Sequence, residues 1–168
     1  MDGASSPAGT VLERVRRLLR EQRVEFVEKQ HAPTFTSAES AQARGESLSI
    51  GAKALLLRTD DRYRLFVLPA DRKLDSRAVK AQLAVKKMRF ATADELLDLT
   101  GLVPGSVPPF GAPILPLELI ADTALERLER IAFNAGSLTD SIIMSLADYR
   151  RVAGARWLAI SEEPLAGS

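Results

Sequence analysis

The chain reads as a single α/β domain in which a mixed, mostly antiparallel sheet is flanked by helices. Three observations predict it. The pattern Thr-x-x-Glu, a reciprocal helix-start signature, occurs at Thr10/Glu13, Thr36/Glu39 and Thr92/Glu95. Between these starts the apolar period falls to two, and residues 50–58 and 63–68 flank the turn Thr59-Asp60-Asp61-Arg62, which predicts an antiparallel hairpin. Strand candidates outnumber helices, and with a hairpin among them an all-parallel sheet is disfavoured.

Each element follows from local pattern. Val11, Leu12, Val15, Leu18 and Leu19 recur at helical spacing behind the Thr10 box, and residues 24–27 follow as a short strand. The Thr36 box opens an alanine-rich helix that Gly45 ends, and the hairpin comes next. A helical stretch spans 76–83, residues 88–90 form a strand, and the helix begun at Thr92 runs to Gly101. Apolar runs at 114–119, 131–133, 142–146 and 157–160 supply the remaining strands. With 168 residues, no internal repeat and no dividing linker, one core suffices. Residues 10–163 are expected to form the domain, with 1–9 and 164–168 as flexible ends.

Composition narrows the chemistry. The chain has no cysteine and one histidine, His31. A disulfide framework, a thiolate metal site and a cysteine nucleophile are excluded, and the usual ligands of a zinc site are missing, so neither metal nor cofactor is expected. An apolar share of 46% against 27% charged is that of a globular protein. The first residues do not form an export signal, and no run approaches the roughly 20 apolar residues that span a bilayer, which predicts a cytoplasmic protein that does not bind membranes.

The net charge of +1 hides an asymmetry: residues 72–89 carry a local excess of +6, and residues 92–129 one of −6. Within the basic run, Lys80, Lys86, Lys87 and Arg89 are candidates for phosphate contacts with a polyanion, although such runs also serve as solvated faces.

Four places stand out for chemistry. Lys53 lies inside the apolar run 50–57, on one strand face with Leu55 and Leu57. Its ammonium must find an anion, reach water or lose its proton, since unpaired burial is costly. The segment 101–111 holds Pro104, Pro108 and Pro109 and is too proline-rich for helix or central strand, so it forms a stiff loop that either presents backbone groups to a ligand or simply tucks Phe110 into the core. Asn134-Ala135-Gly136-Ser137-Leu138-Thr139-Asp140 is small and polar between two strands, suited to a hairpin turn or to close backbone approach to a ligand. His31, just before the Thr36 box, is either a structural residue or a general base.

The order of these elements is more telling than any one of them. His31-Ala32-Pro33-Thr34, then Thr36 to Ala41, Lys53, Leu65-Phe66-Val67-Leu68-Pro69-Ala70-Asp71, Ala91 to Leu96, Thr100-Gly101, Gly105 to Gly111 and Asn134-Ala135-Gly136 together resemble the YbaK family. These are freestanding aminoacyl-tRNA deacylases related to the editing domain inserted in bacterial prolyl-tRNA synthetase. The resemblance spans roughly residues 24–160, with the Gly105 to Gly111 loop its most specific part. Ala52 and Ala54 flank Lys53 where members of the family often carry bulkier neighbours.

The resemblance implies hydrolysis in trans of a mischarged aminoacyl-tRNA, with tRNAPro carrying alanine or cysteine, or a serine or threonine species, as substrate. It makes aminoacyl-tRNA the partner, with a synthetase as a second one. It places Lys53 at the terminal phosphate or ester end and Gly136 at the carbonyl, these two forming the catalytic pair. His31, Gly105, Pro109, Phe110, Gly111, Asn134, Ala135, Ser137 and Asp140 would bind substrate. An activated ester needs neither metal nor covalent nucleophile, so attack falls to water or to a group of the substrate. The alternative on the same fold is a non-catalytic tRNA- or synthetase-binding module, and an unrelated small-molecule hydrolase is a further rival.

Overall fold

The structure, a computed structural model, describes residues 9–163. The expected flexible ends, apart from Gly9, lie outside the described residues. In chain order the elements are α1 (Val11–Glu21), β1 (Phe26–Gln30), α2 (Ser37–Arg44), β2 (Ala52–Thr59), β3 (Arg62–Pro69), β4 (Lys73–Leu74), α3 (Ser76–Leu83), β5 (Met88–Phe90), α4 (Ala93–Thr100), β6 (Glu118–Asp122), β7 (Arg130–Asn134), β8 (Asp140–Ser145), α5 (Leu146–Ala153), β9 (Arg156–Leu158) and β10 (Ser161–Glu162). Single 3-10 turns cover Leu48–Ile50 and Thr123–Arg127.

All three capping boxes form, with the threonine side chain accepting from the third helical N–H and the glutamate answering at the cap. Gly45 and Gly101 end α2 and α4 in the left-handed conformation. The β2–β3 hairpin pairs Thr59 with Arg62 and Lys53 with Leu68, so Lys53 sits at the end of the ladder far from the turn.

Mixed topology arises because this hairpin is the centre of a five-stranded sheet ordered β5-β2-β3-β6-β9. The β5–β2 and β2–β3 pairs are antiparallel, whereas β3–β6 and β6–β9 are parallel. A separate antiparallel sheet, β1-β8-β7, meets it through one parallel bridge, Gly51 to Ala132. Burial on both faces explains the unbroken apolar run of β3. Leu65 and Val67 join the main core under α1, while Phe66 packs with Leu57, Val79, Ile120 and Ile160 beneath α3.

Four boundaries differ from expectation. Val24 closes α1 by donating to Leu19 O, so it anchors the helix end and the strand starts at Phe26. Ile50 belongs to a 3-10 turn. Ile114 and Leu115 both donate to Gly111 O, making a buried turn, and the strand begins only at Glu118. Leu146 opens α5, a helix absent from the sequence expectation, whose cap Ser145 accepts from Asp148 N–H and whose end is Gly154.

Candidate active site

The cleft lies where the two sheets meet. Its floor is the N-terminal end of β2 with Gly51, Ala52, Lys53, Ala54 and Leu55, its walls are α2, the Gly105–Val107 loop and β7, and its volume is about 140 Å³. Small residues make the space. A Cβ on Gly51 would meet Ala70 Cβ at 2.9 Å and Leu48 O at 3.2 Å, so glycine lets β2 approach both neighbours and reach β7 through the Gly51–Ala132 bridge.

Two cations face this space, and neither forms an ion pair among the described residues. Lys53 is half-buried in the cleft, and burial holds its ammonium below the usual lysine value, with Asp71 pulling the other way across space. Asp71 Oδ1 is itself buried without a hydrogen-bond partner among the described residues. Arg44, the last residue of α2, is only 6% exposed. Burial pushes its guanidinium down to about 10, opposed by the distant charge of Glu46, so it remains charged at neutral pH. Its hydrogen-bond partners are neutral: Nε donates to Ser141 Oγ at 2.9 Å and Nη2 to Asn134 Oδ1 at 3.1 Å.

These bonds start a network around the cleft wall. Asn134 Nδ2 donates to Gly105 O at 2.7 Å and to Ser40 Oγ at 3.2 Å, and Ser40 Oγ shares a 2.8 Å bond with Thr34 Oγ1. Ser141 Oγ donates to Asn134 Oδ1 at 3.1 Å and lies 2.8 Å from His31 Nε2. The Gly105 loop is also held from behind, since Gly136 N–H donates to Ser106 O at 2.8 Å. Buried polar groups so fully satisfied fix one geometry.

Comparison with known proteins agrees with this site. The family model for the aminoacyl-tRNA editing domain matches residues 31–152. The chain belongs to the aminoacyl-tRNA editing domain family. It is 34% identical over 141 residues to the Escherichia coli K12 protein named multifunctional Ser/Thr-tRNA deacylase ProXp-y, covering 81% of this chain and 84% of that one. It is 33% identical over 111 residues to proline--tRNA ligase of Shouchella clausii, where the match covers 66% of this chain and 19% of the ligase. Among solved structures, the hypothetical protein APE2540 superposes with a TM-score of 0.79 at 26% identity, covering 89% of this chain and 99% of that one. The resemblance to the YbaK family read from the ordered motifs is thereby shown.

Within this editing domain the expected site residues separate. Lys53, Gly105 and Asn134 line the cleft, although the Asn134 amide donors are spent on Gly105 and Ser40. Gly136 does not line it. Its φ is +86°, a Cβ there would meet Val11 Cγ1 at 2.9 Å, and its N–H is occupied, so its position serves the packing of α1 and not a carbonyl in the cleft. Ala135 is fully buried and donates to Asp140 O. Ser137 bonds Thr139, and Thr139 Oγ1 donates to Asp140 Oδ2 at 3.0 Å, all within the β7–β8 turn. Burial raises Asp140, but hydrogen bonds from Ser137, Thr139 and Gln30 and the charge of Arg16 outweigh it, leaving the carboxyl below its usual value.

Pro109, Phe110 and Gly111 are core residues. Tyr149 Oη donates to Pro109 O at 2.7 Å, Phe110 meets the rings of Phe133 and Tyr149 edge-on, and a Cβ on Gly111 would lie 2.4 Å from Leu117 O. They set the position of the Gly105–Val107 segment from below. His31 touches the site only through Ser141.

The end of the basic segment that carries Lys86, Lys87 and Arg89 is exposed but stands apart. Met88 pairs with Thr59, six residues along β2 from Lys53, which is roughly 20 Å at the rise of a strand. Arg89 is not a free cation: it forms a two-point pair with Glu95 at 2.7 and 2.8 Å, and Tyr63 also donates to that carboxylate. That pairing holds Glu95 well below, and Arg89 above, their usual values.

Arg44, Ser40, Ser141 and Phe35 were not expected in the site. One signal pointed to three of the α2 positions: Ser37, Ser40 and Arg44 recur at helical spacing and form a polar stripe on a short helix. Ser141 follows Asp140 at the start of β8, ahead of the apolar Ile142, Ile143 and Met144, and its role needs the β8–α2 contact.

Proposed function

We propose that this protein acts in trans on mischarged tRNA, hydrolysing the ester between a small amino acid and the 3′ adenosine, with seryl and threonyl esters as its first substrates. The observation that carries this is the pairing of Lys53 and Arg44, two cations that form no ion pair among the described residues, at one small cleft walled by Gly51, Ala52, Ala54, Ala70 and Ala132. Positive charge there attracts the acceptor-end phosphate and stabilises the oxyanion that develops as the ester carbonyl becomes tetrahedral. Water adds to the carbonyl carbon, the bond to the ribose oxygen breaks, and that oxygen leaves as a hydroxyl with the proton water gave up. The free amino acid and the intact tRNA are the products.

No side chain lining the cleft is a ready general base, so attack by water, assisted by the neighbouring ribose hydroxyl, relies on the reactivity of the ester and on electrostatic stabilisation. The alanines leave room for a small side chain, and Ser37 offers a hydroxyl beside it. Removal after the fact is needed because a synthetase pocket separates amino acids differing by one small group by only about 1–3 kcal/mol. The Ser/Thr preference is supported by the relative named as a Ser/Thr-tRNA deacylase. Charged tRNA places the activity in the cytoplasm, and among the described residues no helix is long and apolar enough to cross a membrane.

The test is a panel of tRNAPro, tRNAAla and tRNAThr charged with Ser, Thr, Ala, Cys and Pro, each with the full chain at micromolar concentration. Seryl and threonyl esters on non-matching tRNA should be lost fastest. Turnover of none of them above buffer would leave a tRNA-binding module of the same fold.

A further inference from the structure

Phe35 is 71% exposed and lines the cleft that holds Lys53 and Arg44. Nothing in the packing of α2 accounts for it. The residue before a helix cap commonly packs on an apolar residue at the fourth helical position. Here that position is Ser40, which is buried and engaged with Thr34 and Asn134. The backbone is nonetheless held, because Phe35 N–H donates to Glu39 Oε1 at 2.9 Å, the oxygen that also caps Thr36. A large aromatic side chain is thus carried on a fixed backbone with most of its surface open. Next to it Gly105, itself exposed, adds no side chain; a Cβ there would come within 4.0 Å of Phe35 O. Of the large exposed apolar residues among those described, Val27, Phe90, Leu97 and Val103 lie elsewhere, and Phe35 alone lines the cleft.

We propose that Phe35 is a stacking platform for a nucleobase at the acceptor end of the tRNA, with the adjoining phosphodiester drawn to Lys53 and Arg44. This deepens the deacylase reading and rests on it. A flat apolar face beside two cations that form no ion pair among the described residues matches a nucleotide, which is itself a flat π-surface joined to an anion. It does not match the amino acid of the substrate, whose small side chain has no use for an aromatic ring of this size. Stacking also explains why an aromatic residue stands where solvent would otherwise favour a polar one.

The test uses the full chain with Phe35→Ala, Phe35→Leu and Phe35→Trp, and two probes, AMP and ribose 5-phosphate, which share the phosphate but not the base. Wild type should bind AMP more tightly than ribose 5-phosphate. Alanine and leucine should weaken AMP about tenfold or more, the range of one base-aromatic stack, while leaving ribose 5-phosphate unchanged. In single-turnover deacylation the same two variants should raise the concentration of tRNA needed for half-maximal rate and leave the maximal rate intact. Tryptophan should restore both, and its fluorescence should be quenched by AMP and not by ribose 5-phosphate.

Leucine matching wild type, or equal weakening of both probes, would overturn the platform. Binding is read without turnover, so a Phe35-dependent preference for AMP in a protein that deacylates nothing would uphold the platform and sink the deacylase reading alone.

Discussion

The guanidinium of Arg44 lies 3.1 Å from Asn134 Oδ1, and this bond decides which end of the Asn134 amide faces the Gly105 loop. Arginine can only donate, so the amide oxygen must turn toward it and the NH2 group toward the carbonyl of Gly105. A helix, a strand and a loop far apart in sequence are thereby locked in one arrangement around the cleft.

Breaking that lock should cost both stability and activity. Arg44→Lys keeps a charge but cannot reach Ser141 and Asn134 together. Losing one hydrogen bond to a charged group costs about 1.5–3 kcal/mol, so the thermal midpoint should fall by several degrees. Asn134→Asp places a carboxylate against Gly105 O while neutralising Arg44, and kcat/KM should fall at least tenfold. Unchanged deacylation in Asn134→Asp, measured beside its melting curve, would show that the loop needs no such clamp.

Lys53→Ala should reduce single-turnover deacylation by about a hundredfold or more, the scale of one lost electrostatic stabiliser, with the fold intact. Because burial depresses the Lys53 ammonium, the unfolded chain holds this proton more tightly than the folded one, and stability rises with pH between the lowered value and the ordinary 10.5. Below that window the cost of burying the charge is constant. Alanine removes it, so the midpoint at neutral pH should be equal or higher, and the alkaline rise due to Lys53 should vanish. Loss of activity together with unfolding would instead make Lys53 structural.

Gly136→Ala should be destabilised. The φ of +86° is strained for alanine, at roughly 1–2 kcal/mol, and the added methyl meets Val11 Cγ1 at 2.9 Å and Leu12 N at 3.1 Å. Activity per folded molecule should be close to wild type. An unchanged midpoint with activity abolished would return Gly136 to the reacting carbonyl.

Lys86 and Lys87 are exposed and form no ion pair among the described residues, whereas Arg89 is tied to Glu95. Reversing both lysines to glutamate should flatten the salt dependence of tRNA binding by roughly 1.5–2 in log-log slope, and Arg89→Glu should change it less. Equal slopes for wild type and the double variant would make the segment a solvated face.

The helices and the hairpin were legible because their signals are local. Thr10, Thr36 and Thr92 each meet a glutamate three residues on, and the turn after Thr59 sets the β2–β3 register whatever surrounds it. Failures came where a distant partner overrode local pattern. Residues 114–117 are apolar enough for a strand, but Ile114 and Leu115 turn back on Gly111, and α5 was hidden because its apolar start continues the run of β8.

The same division runs through the site. Lys53 was conspicuous in sequence because a charge inside an apolar run demands a local explanation. Arg44 was not, since a basic residue closing a short helix is ordinary until Asn134 and Ser141, about ninety residues away, are brought beside it. Gly136 illustrates the converse: the sequence suits it to a turn or to close approach of a ligand, but only packing against Val11 shows that the need is for space and a positive φ. Backbone propensity and apolar period act over a few residues and so are written into the chain directly. Which polar groups meet, and which glycine borders a cleft and which a helix, depends on contacts between segments whose separation in sequence carries no record of their distance in space.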